Sequence, residues 1–251
     1  MKPTRLLKRL FRTADRRKPP LVDVLKNIER DWDERARTNA KHYVATSRET
    51  WSDESFFRSG AICVHDYILK DLTVICNGRF PSDMKVLEIG CGAGRLLPAL
   101  ARLFGEVHGL DISSEMLKQA QAAVANVSNI HLHKNNGKDL ADFENEVFDF
   151  VFSGIVFQHI PAKSIIEGYI REVWRVLRTG SVFKFQVQGT AISERDADTW
   201  VGVGLTERDI QTIAEEIGFK VANAQGAGTQ YFWVTLAKPE GRASEYRPAE
   251  L

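Results

Sequence analysis

Residues Glu88-Ile89-Gly90-Cys91-Gly92-Ala93-Gly94 place glycines at alternate positions directly after a short apolar run. Glycine lets a backbone turn sharply and lets a ligand approach the main chain. A loop of this kind between a strand and a helix is where open α/β sheets bind ligands. The helix that follows Gly94 offers the positive end of its dipole, which suits the carboxylate of an amino-acid moiety. Asp111 ends the run Gly109-Leu110-Asp111, and an acidic residue about 20 positions beyond a glycine loop can accept hydrogen bonds from both ribose hydroxyls. The dinucleotide fingerprint wants a small residue where this chain has Arg95, so the pattern fits NAD poorly.

Further candidates follow the fourth apolar run, in Phe157-Gln158-His159-Ile160-Pro161. A base at His159 would serve an oxygen or nitrogen acceptor, although packing or capping the next helix is the commoner fate of such a residue. Gln158 is placed to contact either a cofactor or a substrate. Cys91 reads as a small residue that fits the tight loop rather than as a nucleophile. His131 and His133 alternate on a strand and read as structural or exposed. Cys63, Cys76 and Cys91 form no CxxC motif, and no metal-ligand cluster is legible.

The elements that must position these residues alternate in type. After Pro81, KVLEIG reads as a buried strand, and RLLPALARLF as a helix with Pro98 in its first turn or at a tolerated kink. EVHGLD is a strand, SSEMLKQAQAAVAN a helix capped by Ser113 or Ser114, NIHLHKN a strand, and VFDFVFS a strand apolar on both faces. AKSIIEGYIREVWRVL is a helix stopped by Thr179-Gly180, and SVFKFQVQ is a strand. TERDIQTIAEEIGF is a helix with a Thr206/Asp209 capping box and Gly218 at its end. KVANAQ and QYFWVTLAK close the chain as an antiparallel hairpin at one sheet edge. Strands alternating with helices predict a parallel-rich sheet covered on both faces.

Six segments, VLEIGCGAGRLLPAL, GLDISSEML, NNGKDL, VFDFVFSGIVFQHIP, REVWRVLRTGSVF and LTERDIQTIAEEIGF, resemble, in order, the motifs of class I S-adenosylmethionine-dependent methyltransferases over roughly residues 84–238. The resemblance implies an α/β, Rossmann-like three-layer sandwich. Its seven-stranded, mostly parallel sheet would end in an antiparallel strand, with a helical segment before it. It implies S-adenosyl-L-methionine as cofactor and S-adenosyl-L-homocysteine as product. Glu88 and the loop of Gly90, Cys91, Gly92 and Gly94 would line the methionine part, Asp111 the ribose, and Ile112 with Met116 the adenine. Asn136 stands where many members carry an acidic residue against the adenine amino group, and Gly137 offers a backbone N–H to the ring. Ser153 and Gly154 would lie next to the methyl group. Segments like the one holding Tyr43, Trp51 and Phe57 often close over the cofactor in this family. Residues 189–205, with Trp200, read as a lid. The cofactor is already an activated methyl donor, so the protein's task is to position a nucleophile and, where needed, remove its proton; no metal is implied.

The expected organisation is a basic arm (1–20), a helical cap segment (21–80), a cofactor-binding domain (81–240) and a tail (241–251). Charge is balanced overall, with 34 basic and 33 acidic residues, so no global field points to nucleic acid. The first twenty residues nevertheless hold eight basic residues against one aspartate, which leaves the remainder acidic and disfavours RNA. Leu6, Leu7, Leu10 and Phe11 share a helical face ended by Pro19-Pro20. The arm therefore reads as a solvated tail, as a peripheral contact with anionic membrane through residues 5–18, or as a nucleic-acid tether. No signal-peptide core or membrane-spanning run is legible, and the scattered cysteines fit a reducing, cytoplasmic setting. The expected function is methyl transfer to an oxygen, nitrogen or carbon of a small-molecule or lipid-like acceptor. The alternatives are a protein or RNA methyltransferase, an NAD-dependent oxidoreductase, and a non-catalytic cofactor-binding protein.

Overall fold

The structure of the protein, a computed structural model, describes residues 19–240. The arm expected to touch membrane at 5–18 and the tail at 241–251 lie outside the described residues. Seven strands form one sheet: β1 Lys85–Ile89, β2 Glu106–Asp111, β3 Ile130–Lys134, β4 Phe148–Ser153, β5 Leu177–Val187, β6 Lys220–Gln225 and β7 Phe232–Ala237, in the order β3-β2-β1-β4-β5-β7-β6. β1 pairs in parallel with both β2 and β4, whereas β7 runs antiparallel between β5 and β6. The expected hairpin therefore forms the edge, with its antiparallel strand one place in. The fold is the Rossmann-like α/β sandwich. The strand order reverses between β1 and β4, which opens a crevice at their carboxyl ends, directly above the glycine loop.

Each face of the sheet has its own apolar layer. Leu87, Val151, Phe183 and Phe185 meet Ile166, Ile170 and Val173 of α6 (Lys163–Val176) and Ile210 of α7 (Glu207–Ile217). Val86, Phe150 and Val182 meet Val64 of α2 (Asp53–Tyr67), Ile75 of α3 (Leu72–Cys76), Leu100 of α4 (Leu97–Leu103) and Val124 of α5 (Ser114–Val124). β4 is buried along its whole length, its polar Asp149 paired with Arg79 and Arg178. Local signals act where expected. Ser113 accepts the Met116 N–H to cap α5, Thr206 and Asp209 close a capping box on α7, and Pro98 falls in the first turn of α4.

One predicted boundary moves. α6 ends at Val176, and Thr179-Gly180 lies inside β5 rather than stopping a helix. The carbonyls of the last two residues of α6 are taken by the residues leading into β4: Val147 N–H donates to Val176 O at 2.8 Å and Glu146 N–H to Arg175 O at 2.9 Å. The chain passes straight into the sheet, and the register between β4 and β5 shifts between Phe148 and Phe150 to accommodate residues 178–181.

Before the sheet, α1 (Leu21–Val44) opens the segment expected to be helical, with a break in helical geometry at Asn39. Asn39 caps the turn beyond the break by accepting the His42 N–H, and donates to Glu49 O at 2.8 Å. Ala36 and Ala40 of α1 bury against Ala93 and Met116. Small side chains on this face let the helix lie close over the glycine loop. Asp33 fixes the contact by accepting the Ser113 hydroxyl at 2.6 Å and the Glu115 N–H at 3.2 Å.

Candidate active site

The glycine loop is tied to the end of β2. Gly90 N–H and Cys91 N–H both donate to Leu110 O, at 2.7 and 3.0 Å. Asp111 accepts the Gly92 N–H on Oδ2 and the Ser113 N–H on Oδ1, both at 2.8 Å. Gly90 and Gly92 have φ of 78° and 55°, and a Cβ at either would fall 2.3 Å from Val156 or 2.8 Å from Val44. Positive φ and absent space both demand glycine. The loop after β4 carries Ile155 at φ 60°, an uncommon conformation for a β-branched residue and one associated with ligand-binding loops.

These segments enclose a cleft with roughly 990 Å³ of non-atom space, open solvent at its mouth included. Its floor holds two buried carboxyls. Glu88 Oε2 is buried with no hydrogen-bond partner. Burial pushes the Glu88 carboxyl up to about 8, against the opposing pull of the Arg95 charge. Burial also raises Asp111, to about 6, with the Ser113 and Gly92 N–H groups opposing. Arg95 lines the same cleft with its Nε buried and unpartnered, while its Nη1 reaches Cys63 Sγ at 3.2 Å.

Of the residues singled out in the sequence, Glu88, Gly90, Cys91, Gly92, Asp111, Ile112, Met116, Gly137, Gly154, His159 and Tyr43 come together in the cleft wall. Gly94 instead faces Ala120 of α5, and Ser153 is buried behind the wall with its hydroxyl on Ile89 O at 3.0 Å. Gln158 is buried next to the cleft, between the His159 ring and the Gln186 amide. Asn136 stays outside: it is exposed, and its side chain caps the turn by accepting the Lys138 and Asp139 N–H groups. Its neighbour Asn135 takes the place in the cleft, where Oδ1 accepts the Gly137 N–H at 2.6 Å and the Tyr169 hydroxyl at 2.5 Å. Trp51 is likewise absent from the cleft, because its indole N–H anchors the α1–α2 loop on Ala45 O at 2.8 Å.

Residues 189–205 reach the cleft through Trp200, whose ring lies 5.2 Å from His159, 5.8 Å from Tyr43 and 6.4 Å from Trp32. Arg35 of α1 holds this loop by donating to Thr199 O at 3.1 Å and to Thr199 Oγ1 at 3.0 Å. Its guanidinium also stands over the Trp32 and Trp200 rings. Trp32 and Arg35 were not singled out from the sequence. The available signal was the spacing of Ile28 and Trp32, one helical turn apart, both of which line the cleft.

His159 has both ring nitrogens engaged. Nδ1 lies 2.5 Å from Trp200 O, so it carries the proton, and Nε2 accepts from the Gln158 amide at 3.2 Å. Burial, reinforced by the Arg35 charge, lowers this imidazole to about 4. It is a neutral ring that braces the Trp200 loop.

The donor set fits a nucleoside-bearing amino acid. An orphaned buried carboxylate oxygen suits an ammonium group, the Arg95 cation suits a carboxylate, and Asp111 keeps a free lone pair on each oxygen for a diol. Comparison with known proteins agrees. Residues 87–185 match the methyltransferase domain family. A demethylmenaquinone methyltransferase of Staphylococcus carnosus is 37% identical over 101 residues, covering 39% of this chain and 40% of that protein. A ubiquinone biosynthesis O-methyltransferase of Shewanella is 34% identical over 85 residues, covering 33% of this chain and 36% of that protein. The chain thus spans well under half the length of these curated relatives. Among solved structures, the geranyl diphosphate C-methyltransferase of Streptomyces coelicolor, crystallised with Mg2+, geranyl diphosphate and S-adenosyl-L-homocysteine, aligns with a TM-score of 0.61 at 12% identity. That alignment covers 86% of this chain and 97% of that one and shows the shared fold. The fold and cleft define a methyltransferase domain. Its fold is that of S-adenosylmethionine-dependent methyltransferases, and the match to the methyltransferase domain family spans residues 87–185.

Proposed function

We propose that this protein transfers a methyl group from S-adenosylmethionine to a small, largely apolar acceptor with a flat ring. The observation that carries the cofactor assignment is the unpartnered Glu88 oxygen on the cleft floor, set with Asp111 around the glycine loop. Glu88 and Arg95 would hold the amino-acid end, Asp111 the ribose, and Ile112, Met116 and Gly137 the adenine slot. The bound cofactor supplies an electrophilic methyl group. The protein's own work is to orient the acceptor, exclude water and keep the main chain of the loop close to the ligand.

The acceptor class is read from the mouth of the cleft. Trp32, Tyr43 and His159 line it and Trp200 backs them, an aromatic wall that favours ring stacking. Quinone-precursor methyltransferases among the relatives support the same class. His159 is neutral and fully engaged, so proton removal does not fall to it. An acceptor with an acidic hydroxyl or an enol-like carbon matches that setting, because its nucleophile forms without a strong base.

Two measurements test this. S-adenosyl-L-homocysteine should raise the melting temperature of the full chain while NAD leaves it unchanged; at 100 times the dissociation constant the stabilisation is about 2.7 kcal/mol. Labelled methyl transfer from S-adenosylmethionine should then favour hydroquinones and substituted phenols over protein or RNA. An absent thermal shift at millimolar ligand overturns the cofactor assignment, and preferential labelling of a macromolecule overturns the acceptor class.

A further inference from the structure

Away from the cleft, the fold gathers side chains that sequence spacing leaves apart. Glu106 and His108 are two residues apart on β2, and His131 and His133 are two residues apart on β3. Alternate residues of a strand share a face. His108 stands opposite His131 in the parallel register of the two strands. All four side chains therefore meet on one face, where β3 is the edge of the sheet.

The geometry points to a binding site for a divalent metal ion of the zinc class, held by Glu106, His108 and His131 and braced by His133. His108 Nε2 lies 2.7 Å from Glu106 Oε1, and His131 Nε2 lies 3.8 Å from the same oxygen. One ligand atom from each of the three residues falls within 4.8 Å of the others. Ligands at about 2.0–2.2 Å around a tetrahedral ion stand roughly 3.3–3.6 Å apart, so small side-chain rotations bring the three into range. Imidazole nitrogen with carboxylate oxygen is the donor chemistry that late first-row divalent ions accept.

His133 supplies the support that a ligating imidazole needs. His108 Nδ1 lies 2.8 Å from His133 Nε2, and the two rings stack at 5.0 Å with an interplanar angle of 11°. A ligating histidine usually hands its other N–H to an acceptor that fixes ring orientation; with His108 Nε2 on the metal, Nδ1–H donates to His133 Nε2. Phe143 and Phe148 hold the His108 ring from the side, with centroids at 5.8 and 5.2 Å. The ion takes the place of the proton now shared by His108 and Glu106. It also competes with the Lys85 ammonium, which pairs with Glu106 Oε1 at 3.0 Å. The access route is through His131, whose side chain is 48% exposed.

A metal here would clip the edge strand to β2. His108 is three residues before Asp111, about 10 Å along the strand, so the site is separate from the cleft and binds independently of the cofactor. The test uses the full chain stripped of metal with chelator, then titrated with zinc chloride by calorimetry. One equivalent should bind, and His131→Ala and Glu106→Gln should each weaken that binding at least tenfold. His65→Ala, which alters an exposed histidine elsewhere, should leave it unchanged. Melting curves in chelator establish that each variant is folded. Zinc-induced shifts of the His108 and His131 imidazole resonances in the wild-type chain give a readout that needs no variant. Absence of stoichiometric binding, a loss below tenfold in either ligand variant, or unshifted His108 and His131 resonances would overturn the site.

Discussion

Glu88 is where folding and binding pull in opposite directions. Its carboxyl is raised to about 8 by burial, above the ordinary value near 4.3. The folded, ligand-free protein therefore holds a proton that the unfolded chain releases between those limits, so this residue's contribution to stability falls as pH rises through that window. Glu88→Gln should remove the loss. Its advantage over wild type in ligand-free melting should be small near pH 5 and reach on the order of a few kcal/mol above pH 8. The same variant should bind S-adenosyl-L-homocysteine at least tenfold more weakly, since a buried ammonium loses its anion. At pH 7 wild-type binding should release close to one proton as Glu88 ionises to meet that ammonium, and Glu88→Gln should release none. Calorimetry in buffers of different ionisation enthalpy measures both. His159 calls for the opposite outcome: because its imidazole is lowered to about 4, the pH–rate profile should carry no His159 ionisation between pH 5 and 8. His159→Ala should lower kcat less than the hundredfold or more typical of losing a general base.

At the scale of elements, the mouth of the cleft depends on two segments far apart in sequence. α1 and the loop around Thr199 are joined by Arg35, by the Thr199 hydroxyl donating to Asp31 at 2.7 Å, and by the Trp32 and Trp200 rings, which meet at a tilt of 39°. Arg35→Ala removes two charge-assisted hydrogen bonds and a cation over two rings, a combined effect of about 2–4 kcal/mol on the loop's closed state. Faster amide exchange at residues 198–202 is the expected result, with KM for the acceptor rising more than KM for the cofactor. Equal rises in the two would place the loop's influence on the glycine loop instead.

At the scale of the molecule, α1 shares its buried face with the glycine loop and its polar anchors with α5. It should therefore respond to ligand as part of the same unit. S-adenosyl-L-homocysteine should slow hydrogen exchange across residues 28–44 as well as across 88–95, and the protein should unfold in a single transition. Protection confined to 88–95 would make α1 an independent appendage. Among the described residues no helix is long and apolar enough to cross a membrane.

What the sequence determined by itself was whatever local physics encodes. Apolar period distinguished strands from helices, Ser113 and Thr206 marked helix starts, and the glycines at 90 and 92 marked a backbone that must turn tightly. Asp111 was legible because it closes a strand at a fixed distance from that loop. The tertiary structure decided everything that rests on residues meeting across long separations. Arg35 and Thr199 are 164 positions apart, and no periodicity relates them. Asn135 rather than Asn136 enters the cleft because adjacent residues point to opposite sides of an extended chain, and only the docking of Tyr169 and Gly137 settles which side is in. Trp51 faces away because its indole N–H finds Ala45 O, a loop contact without a sequence signature. The Glu106, His108 and His131 cluster exists only through strand register, which parallel pairing fixes by packing against the helices and not by the composition of either strand.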